Sequence, residues 1–522
     1  MIKLKIDGKE IEIAEGTTVI QAAKALGIQI PTMCYLEGAG FHNHPSCMLC
    51  LVKDGNSGRL KPSCALPAAD GMDIITNDEE IKNARKDALE LLMSDHVGDC
   101  EAPCTLGCPA SMNIPLMNRL IAKGEYAEAL KVVKEDIAIP HILGYICPAP
   151  CEKVCRRNSV DTPVQICQLK KFVAAEDSNG SDVYYPENQK KSGKKVAIVG
   201  SGPAGLSSAF YLLRAGHECV IYDQNEKAGG ALRYEKMKKQ LPVEVLDSEV
   251  EYLKRYGAEL RLNTKLENST IQDLRKNFDA IVLATGSNHK SKLTIDDLET
   301  TDRGIKINPN TYESSISGIF ALGSAVKSLS MAIRSAAQGK EVAASVHQFL
   351  AGEEFFKPLR MFNSKFGKLT EDEVQEYLKE APNKEIQHKT FEELNPYQHE
   401  AAMDEANRCM HCDCRKIDNC SLRIHSDTYD VDRRKYLLGE RQQLQKYFKQ
   451  DVIVYEPEKC IKCGLCVEIT ATKKEKFGLT FIGRGFDVKI KAPFDKSMNE
   501  ALTSTAIECA KACPTGAISL IE

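Results

Sequence analysis

Lys195-Val-Ala-Ile-Val-Gly200-Ser-Gly202-Pro203-Ala204-Gly205 decides how the middle of this chain folds. A short apolar run enters a glycine-rich turn, Leu206 to Ala215 then reads as a helix, and Gly216-His-Glu-Cys-Val-Ile-Tyr-Asp223 reads as a second strand. Strand, tight turn and helix in that order open a doubly wound parallel sheet. The glycines let the backbone approach a pyrophosphate, whose charge rests on the helix amino terminus. Asp223 stands where an acidic residue would bind a ribose hydroxyl. Glycines at this spacing also arise by chance; strand, helix and acid in register give the motif its weight.

Working outward, the chain has 522 residues, enough for about three to five domains. Hydrophobic residues make up 43% and charged residues 27%, which suits ordinary cores under a solvated surface. A formal net charge of −4 gives no argument for nucleic acid or an anionic membrane as a partner. No apolar run is long enough to span a bilayer. The first residues, Met1-Ile-Lys-Leu-Lys-Ile, alternate like a strand and contain no signal-peptide core, so a cytoplasmic location is expected. In a reducing cytosol, clustered cysteines usually hold metal rather than form disulfides. Nineteen of the 21 cysteines fall into four groups; Cys219 reads as strand packing and Cys509 as a remnant discussed below.

Lys3 to Ile13 alternates around Asp7-Gly8, a hairpin signal, and a helix is predicted over 18–26 with Thr17 or Thr18 as cap and Gly27 as its stop. Cys34, Cys47, Cys50 and Cys64 follow, spaced C-x12-C-x2-C-x13-C, which admits a 2Fe-2S centre or zinc. His96, Cys100, Cys104 and Cys108 precede Cys147, Cys151 and Cys155, and repeated CxxxC puts thiolates one helical turn apart. Cys409, Cys412, Cys414 and Cys420 form a compact quartet, open to a 4Fe-4S cluster or to structural zinc. In the last segment, Cys460, Cys463, Cys466 and Cys513 complete one ferredoxin-type cluster. A second would need Thr470, Thr503, Ala506 and Cys509, three of which cannot act as thiolate ligands, so it is absent.

The surrounding text carries resemblances. Cys34-Tyr-Leu-Glu37 and Cys64-Ala-Leu-Pro-Ala-Ala-Asp-Gly-Met72 resemble the amino-terminal domain of the large iron–sulfur subunit of respiratory complex I and of NAD-linked hydrogenases, which implies a 2Fe-2S centre followed by a helix from Ile81 to Met93. Leu479-Thr-Phe-Ile-Gly-Arg-Gly-Phe486 and Cys513-Pro-Thr-Gly-Ala517 resemble the ferredoxin-like domain of the same proteins. Gly107-Cys-Pro-Ala-Ser-Met-Asn-Ile-Pro115 and Ile146-Cys-Pro-Ala-Pro-Cys-Glu152 resemble the cluster domain of the glutamate synthase small subunit and dihydropyrimidine dehydrogenase. That resemblance implies two interleaved 4Fe-4S clusters, one on Cys100, Cys104 and Cys155, the other on Cys108, Cys147 and Cys151. His96 lies nearest the missing first cysteine, and His96-x3-Cys100 also resembles the His-plus-three-Cys centre of complex I; the alternative is an ordinary histidine. Relatives supply Gln or Glu where this chain has Lys170, which cannot coordinate iron while protonated. Cys167, one turn earlier, is either the substitute ligand or a buried free thiol.

Gly229-Gly230-Ala-Leu-Arg233-Tyr, Leu241-Pro-Val-Glu-Val-Leu-Asp247, Asp279-Ala-Ile-Val-Leu-Ala-Thr285-Gly286 and Gly318-Ile-Phe-Ala-Leu-Gly323 resemble the glutamate synthase small-subunit flavoproteins and imply FAD in the Rossmann site. Two departures matter. Only residues 287–301, 15 in all, stand where relatives insert an NAD(P)H domain, and no second glycine motif occurs in the chain. Ser324 replaces an Asp that contacts the flavin in relatives, which implies weaker FAD binding or a vestigial site.

The expected fold class is multidomain, α+β and α/β: a β-grasp 2Fe-2S domain (1–80), a helical double-cluster domain (81–180), a Rossmann-like FAD domain lacking the NAD(P)H domain (194–350), a connecting segment (351–400), a four-Cys metal site (401–425) and a ferredoxin-like domain (451–522). Expected cofactors are FAD, one 2Fe-2S cluster and three to four 4Fe-4S clusters, according to whether the Cys409 quartet holds zinc. No residue is assigned a catalytic role. The whole arrangement resembles the FAD and iron–sulfur subunit of electron-bifurcating NiFe-hydrogenases of anaerobes. It implies an NAD/FMN subunit, a small 2Fe-2S subunit, hydrogenase or formate dehydrogenase subunits and soluble ferredoxin as partners. The rivals are a stand-alone NAD(P)H-dependent oxidoreductase and a largely structural scaffold with zinc in place of some clusters.

Overall fold

After Glu101 the chain leaves one folding unit, and it returns to that unit twice. In the computed structural model, which describes residues 1–38, 40–42, 44–179, 183–234, 240–265, 268–286, 295–355, 361–381, 399–437, 441–449 and 452–521, one compact unit comprises Met1–Glu101, Arg360–Lys379 and Cys412–Glu522. The other comprises Ala102–Leu359 and Glu380–His411. Of the connector 287–301, residues 287–294 lie outside the described residues, as do 356–360 and 382–398 of the segment 351–400.

In the first unit, strands Ile2–Ile6 and Lys9–Ile13 pair antiparallel through a turn whose two residues, Asp7 and Gly8, both have positive φ. Such turns match the twist of the strands they join. The helix Val19–Ala25 begins at Thr18 in a capping box closed by Gln21. Strand Asp73–Ile75 runs parallel to Ile2–Ile6 and antiparallel to Leu51–Asp54, which completes a five-stranded β-grasp sheet with Arg59–Pro62 at its edge. The helix Glu79–Asp95 starts where Asp78 accepts from the Ile81 amide.

The carboxy-terminal strands Tyr447–Lys449, Ile453–Tyr455 and Ile518–Leu520 form an antiparallel sheet, packed with the helices Leu465–Thr472 and Ala506–Ala512 around one core. Long-range polar contacts join the two ends of the chain within this unit. The Arg85 guanidinium donates to the Tyr429 hydroxyl at 3.2 Å, and buried Arg423 pairs with Glu101 at 2.6 Å.

The second unit begins with the short helices Pro103–Gly107, Ile114–Ala122, Tyr126–Asp136, Pro140–Ile146 and Pro150–Lys153 and the longer Ile166–Asn179. Five parallel strands follow, ordered Ile319–Ala321, Ala280–Leu283, Lys195–Val199, Glu218–Tyr222 and Glu259–Arg261. The inner strands are buried along nearly their whole length, as parallel strands covered on both faces must be. Helices Pro203–Arg214 and Ala332–Ala351 meet so closely that a Cβ on Gly339 would lie 2.5 Å from Ser207 Cβ. Among the described residues no helix is long and apolar enough to cross a membrane.

One buried carboxylate ties the helical segment to the flavin-type sheet. Glu249, on the helix Val243–Tyr256, accepts from the His141 amide at 2.7 Å. Lys134 pairs with Asp177 at 3.6 Å and lies over the Tyr252 ring. Burial pushes the Glu249 carboxyl up to about 7 against the pull of Lys134. As the pH rises from 4.5 to about 7, the unfolded chain gives up this proton before the folded chain does. Stability should therefore fall through that window, and Glu249→Gln should flatten this part of the profile; denaturant midpoints at about pH 5 and about pH 8 check it. Gly339→Val should cost about 1–3 kcal/mol by overpacking, read as a lowered thermal transition of the intact protein.

Candidate cofactor and cluster sites

The three glycines of the dinucleotide loop do three different jobs. Gly200, with φ +108°, passes the end of the neighbouring strand, where a Cβ would stand 2.3 Å from the Ala284 carbonyl. A Cβ on Gly205 would lie 1.9 Å from the Gly200 carbonyl, so only glycine allows the helix to start there. A Cβ on Gly202 would meet nothing within 4 Å, which leaves open space at the helix amino terminus where a pyrophosphate fits. Pro203 is the first helical residue and gives up no needed amide hydrogen bond.

The other predicted contacts gather at the same strand ends. A Cβ on Gly230 would touch Gly202 Cα at 3.0 Å, and one on Gly323 would lie 3.1 Å from Ala204 Cβ. The Gly323 amide donates to Gln338, and the Ser324 hydroxyl accepts from the Leu329 amide at 3.3 Å. Arg233 donates to the Ala228 carbonyl and pairs with Asp247. Thr285 and Gly286 follow the strand Ala280–Leu283. Asp223 is buried and already engaged by protein donors. Its Oδ2 accepts from the Ser201 amide and hydroxyl, and its Oδ1 from the Asn225 amide and side chain. Four donors fill the four acceptor positions of a carboxylate, so Asp223 holds the turn, and the sequence signal could not distinguish that from a ribose contact.

Among the described residues no three His, Cys, Asp or Glu side chains are drawn together tightly enough for a single metal ion. The thiols form wider groups, recognised by the charges each one feels. Cys34 Sγ lies 3.4 Å from Cys47 Sγ. Hydrogen bonds from Cys47 and Cys64 pull the Cys34 thiol well down, while Cys47 and Cys64 are held up; Cys50 is lowered to about 7 by its bond with Cys64. These four sulfurs share protons as one group.

The structure groups the next thiols differently from their order in the sequence. The Cys414 amide donates to the Cys100 carbonyl at 3.1 Å. Burial and the charge on Cys414 hold Cys100 up, to about 11. Cys420 is pushed to about 12 by burial and by Cys414, with Cys100 and Cys513 adding to it. Two members of the compact quartet, Cys414 and Cys420, thus stand with Cys100, more than 300 residues away in the chain. Gly516 makes room for Cys414: a Cβ there would come within 2.3 Å of its Sγ.

Lys459 is the common neighbour of Cys100, Cys414 and His96. Its carbonyl lies 2.9 Å from His96 Nδ1. An acceptor there keeps the proton on Nδ1 and leaves the Nε2 lone pair free, the form in which histidine binds metal. Burial pulls His96 down to about 4, so the ring is neutral at ordinary pH.

Cys460, Cys463, Cys466 and Cys513 feel one another's charge, and burial raises the first three thiols. Amides point at two of the sulfurs, Lys462 N to Cys460 Sγ at 3.3 Å and Ile518 N to Cys513 Sγ at 3.5 Å. Of the positions that a second ferredoxin-type cluster would use, Thr470, Ala506 and Cys509 are buried. Glu475, which no sequence signal singled out, accepts from the Thr503 and Thr505 hydroxyls and the Ser504 amide.

In the second unit, Cys151 is held up by burial and by the charges of Cys167 and Cys108, and Cys147 is bonded to Cys167. Lys170 feels all four of these sulfurs and is 3% exposed. Cys167 therefore joins Cys108, Cys147 and Cys151. Cys155 is held up by burial and feels the guanidinium of Arg408, the residue before Cys409. Cys104 and Cys409 are buried in the same unit, and Cys412 belongs to the first. Cys219 packs in its strand.

The thiol quartets fit iron–sulfur clusters on the chemistry of their donors. Crowded buried thiolates need cationic charge among them, and iron supplies it.

Residues 1–79 match the 2Fe-2S iron–sulfur cluster binding domain family. Residues 75–181 match the dihydropyrimidine dehydrogenase domain II 4Fe-4S family, and 188–339 the pyridine nucleotide-disulphide oxidoreductase family. The β subunit of NADP(+)-dependent formate dehydrogenase from Moorella thermoacetica is 35% identical over 216 residues, 37% of this chain and 31% of that protein. The NADPH glutamate synthase small chain of Bacillus subtilis is 34% identical over 193 residues, 37% of this chain and 39% of that one. A solved NAD+-reducing NiFe-hydrogenase in the H2-reduced state aligns with 33% identity over 24% of this chain and 49% of its own, with a TM-score of 0.18. The matches thus span well under half the length of these curated relatives. The chain carries, in order, segments matching 2Fe-2S, 4Fe-4S and pyridine nucleotide-disulphide oxidoreductase domain families. Gly202→Ala should leave folding intact, because its Cβ meets nothing, yet abolish dinucleotide binding by filling the pyrophosphate space. Visible flavin absorbance of the purified variant, with its thermal transition as control, checks this.

Proposed function

We propose that this chain wires single electrons between iron–sulfur clusters and FAD inside a cytoplasmic multisubunit redox complex. The observation that carries this is the continuity of the thiol groups in the first unit. Cys463 feels the charge of Cys34, and Cys420 feels that of Cys513, so the 2Fe-2S group, the ferredoxin-like group and the Cys100–Cys414–Cys420 group follow one another. Cys34, Cys47, Cys420 and Cys463 also share a single apolar cluster. When bound, FAD exchanges one or two electrons and each cluster one, which suits a branch point or a relay.

The ligand sets we assign are Cys34, Cys47, Cys50 and Cys64 for the 2Fe-2S cluster, and Cys460, Cys463, Cys466 and Cys513 for the ferredoxin-like 4Fe-4S cluster. His96, Cys100, Cys414 and Cys420 would hold another 4Fe-4S cluster, and Cys108, Cys147, Cys151 and Cys167 a further one. FAD would rest on Gly200, Gly202 and Gly205, with Gly230, Arg233, Thr285, Gly286, Gly323 and Ser324 around it.

The complex we favour is an electron-bifurcating NiFe-hydrogenase, with an NAD/FMN subunit, a small 2Fe-2S subunit and soluble ferredoxin as partners. The similarity to a formate dehydrogenase β subunit supports the second reading, the same wiring serving formate oxidation. Absence of a second glycine motif from the sequence argues against a stand-alone NAD(P)H oxidoreductase.

Anaerobic purification from native cells, with mass spectrometry of what comes with the chain, tests the assignment. Hydrogenase and FMN-type subunits in fixed ratio are expected; formate dehydrogenase subunits would favour the second reading. Recovery of the chain alone, bleached directly by NADPH, would overturn both. For the ligand sets, Cys100→Ser and Cys420→Ser should each remove the same EPR component of the reduced protein, while Cys409→Ser leaves that component in place.

A further inference from the structure

We infer that Lys170 is a buried cation that raises the reduction potential of the cluster on Cys108, Cys147, Cys151 and Cys167. This rests on the reading of those four thiols as iron ligands. Lys170 sits one residue short of a helical turn beyond Cys167 on the helix Ile166–Asn179. Its side chain is buried, and its Nζ lies 3.8 Å from Cys167 Sγ. The sulfurs whose charge reaches it are those of Cys167, Cys147, Cys151 and Cys108. It is the cation around which these four sulfurs gather.

A buried ammonium is costly unless negative charge stands beside it. Glu152, whose charge also reaches Lys170, spends its Oε1 on the Cys167 amide at 2.8 Å. The contact that the ammonium itself makes is to sulfur. Negative charge on the sulfurs, together with the Glu152 carboxylate, is what balances it. Lys459, beside Cys414, is arranged differently: it is also buried, but it is paired with buried Glu456 at 2.6 Å, which offsets its charge.

Four thiolates around a 4Fe-4S core carry net negative charge, and uptake of one electron adds one more. No bond is made or broken; the electron comes from a neighbouring one-electron carrier, or from dithionite in a titration. A fixed positive charge a few ångströms away stabilises the reduced form more than the oxidised form, and net charge near a cluster is among the terms that set its potential. Lys170 thus biases this cluster, in the unit that carries the flavin-type sheet, toward accepting electrons.

The test uses the full-length chain purified anaerobically with its clusters, reduced stepwise with dithionite and followed by EPR. The component lost in Cys151→Ser identifies the cluster; if no component and no iron is lost there, the ligand reading fails, whatever Lys170 does. With the component identified, Lys170→Met should shift it to lower potential. At the parent's midpoint it should be roughly tenfold more oxidised, about 59 mV for one electron. Lys170→Arg, which keeps the charge, should titrate near the parent, and the other components should stay in place as internal controls. Should Lys170→Met fail to load iron, Lys170→Leu is read in the same way. An unshifted potential in the neutral variant, or an equal shift in Lys170→Arg, would overturn the inference.

Discussion

A thiol buried among other thiols resists ionisation, and many of the cysteines in this chain are placed in that position. Burial raises Cys151, Cys420, Cys460, Cys463 and Cys466, and neighbouring sulfurs raise them further. Such groups are stable as ligands only when cationic charge is brought among them, by iron and by a few buried basic side chains. Much of the surrounding architecture serves that requirement. Amides point at sulfur, Lys459 turns its carbonyl to His96 and its ammonium to Glu456, and the buried Lys170 ammonium lies 3.8 Å from Cys167 Sγ.

The same requirement explains the discontinuous unit. Cys100 ends one stretch of the first unit, and Cys414 and Cys420 begin another, with the helical and flavin-type segments between them in sequence. A backbone hydrogen bond between Cys100 and Cys414 and the ion pair of Arg423 with Glu101 close that gap. The flavin-type segment thus enters the chain between two stretches that fold together. At the carboxy-terminal end, Glu475 accepts from the Thr503 and Thr505 hydroxyls.

The dinucleotide loop is held as strictly as the thiols, by sterics rather than charge. Gly200 and Gly205 are forced by contacts under 3 Å that any side chain would make, whereas Gly202 faces open space. Asp223 belongs to this scaffold, since four protein donors occupy its carboxylate. The loop is therefore preformed for a pyrophosphate, and the ribose end of the site is where it departs from the pattern its motif suggested.

Local patterns were legible from the sequence alone: the Asp7-Gly8 hairpin, the helix start at Thr18, the strand–turn–helix at Gly200, and the β-grasp and helical cluster domains. Each depends on residues near one another in the chain, where turn chemistry, periodicity and glycine sterics act directly. Contacts between segments distant in the chain were not legible in this way. The quartet Cys409 to Cys420 reads as one site, yet Cys414 and Cys420 stand with Cys100. Cys167 stayed open as ligand or free thiol until the fold set it beside Cys147, and Asp223 read as a ribose contact until Ser201 and Asn225 were found on it. Spacing along the chain records what a short segment can do by itself; which sulfurs share a charge is decided only when tertiary packing removes water and brings distant segments together.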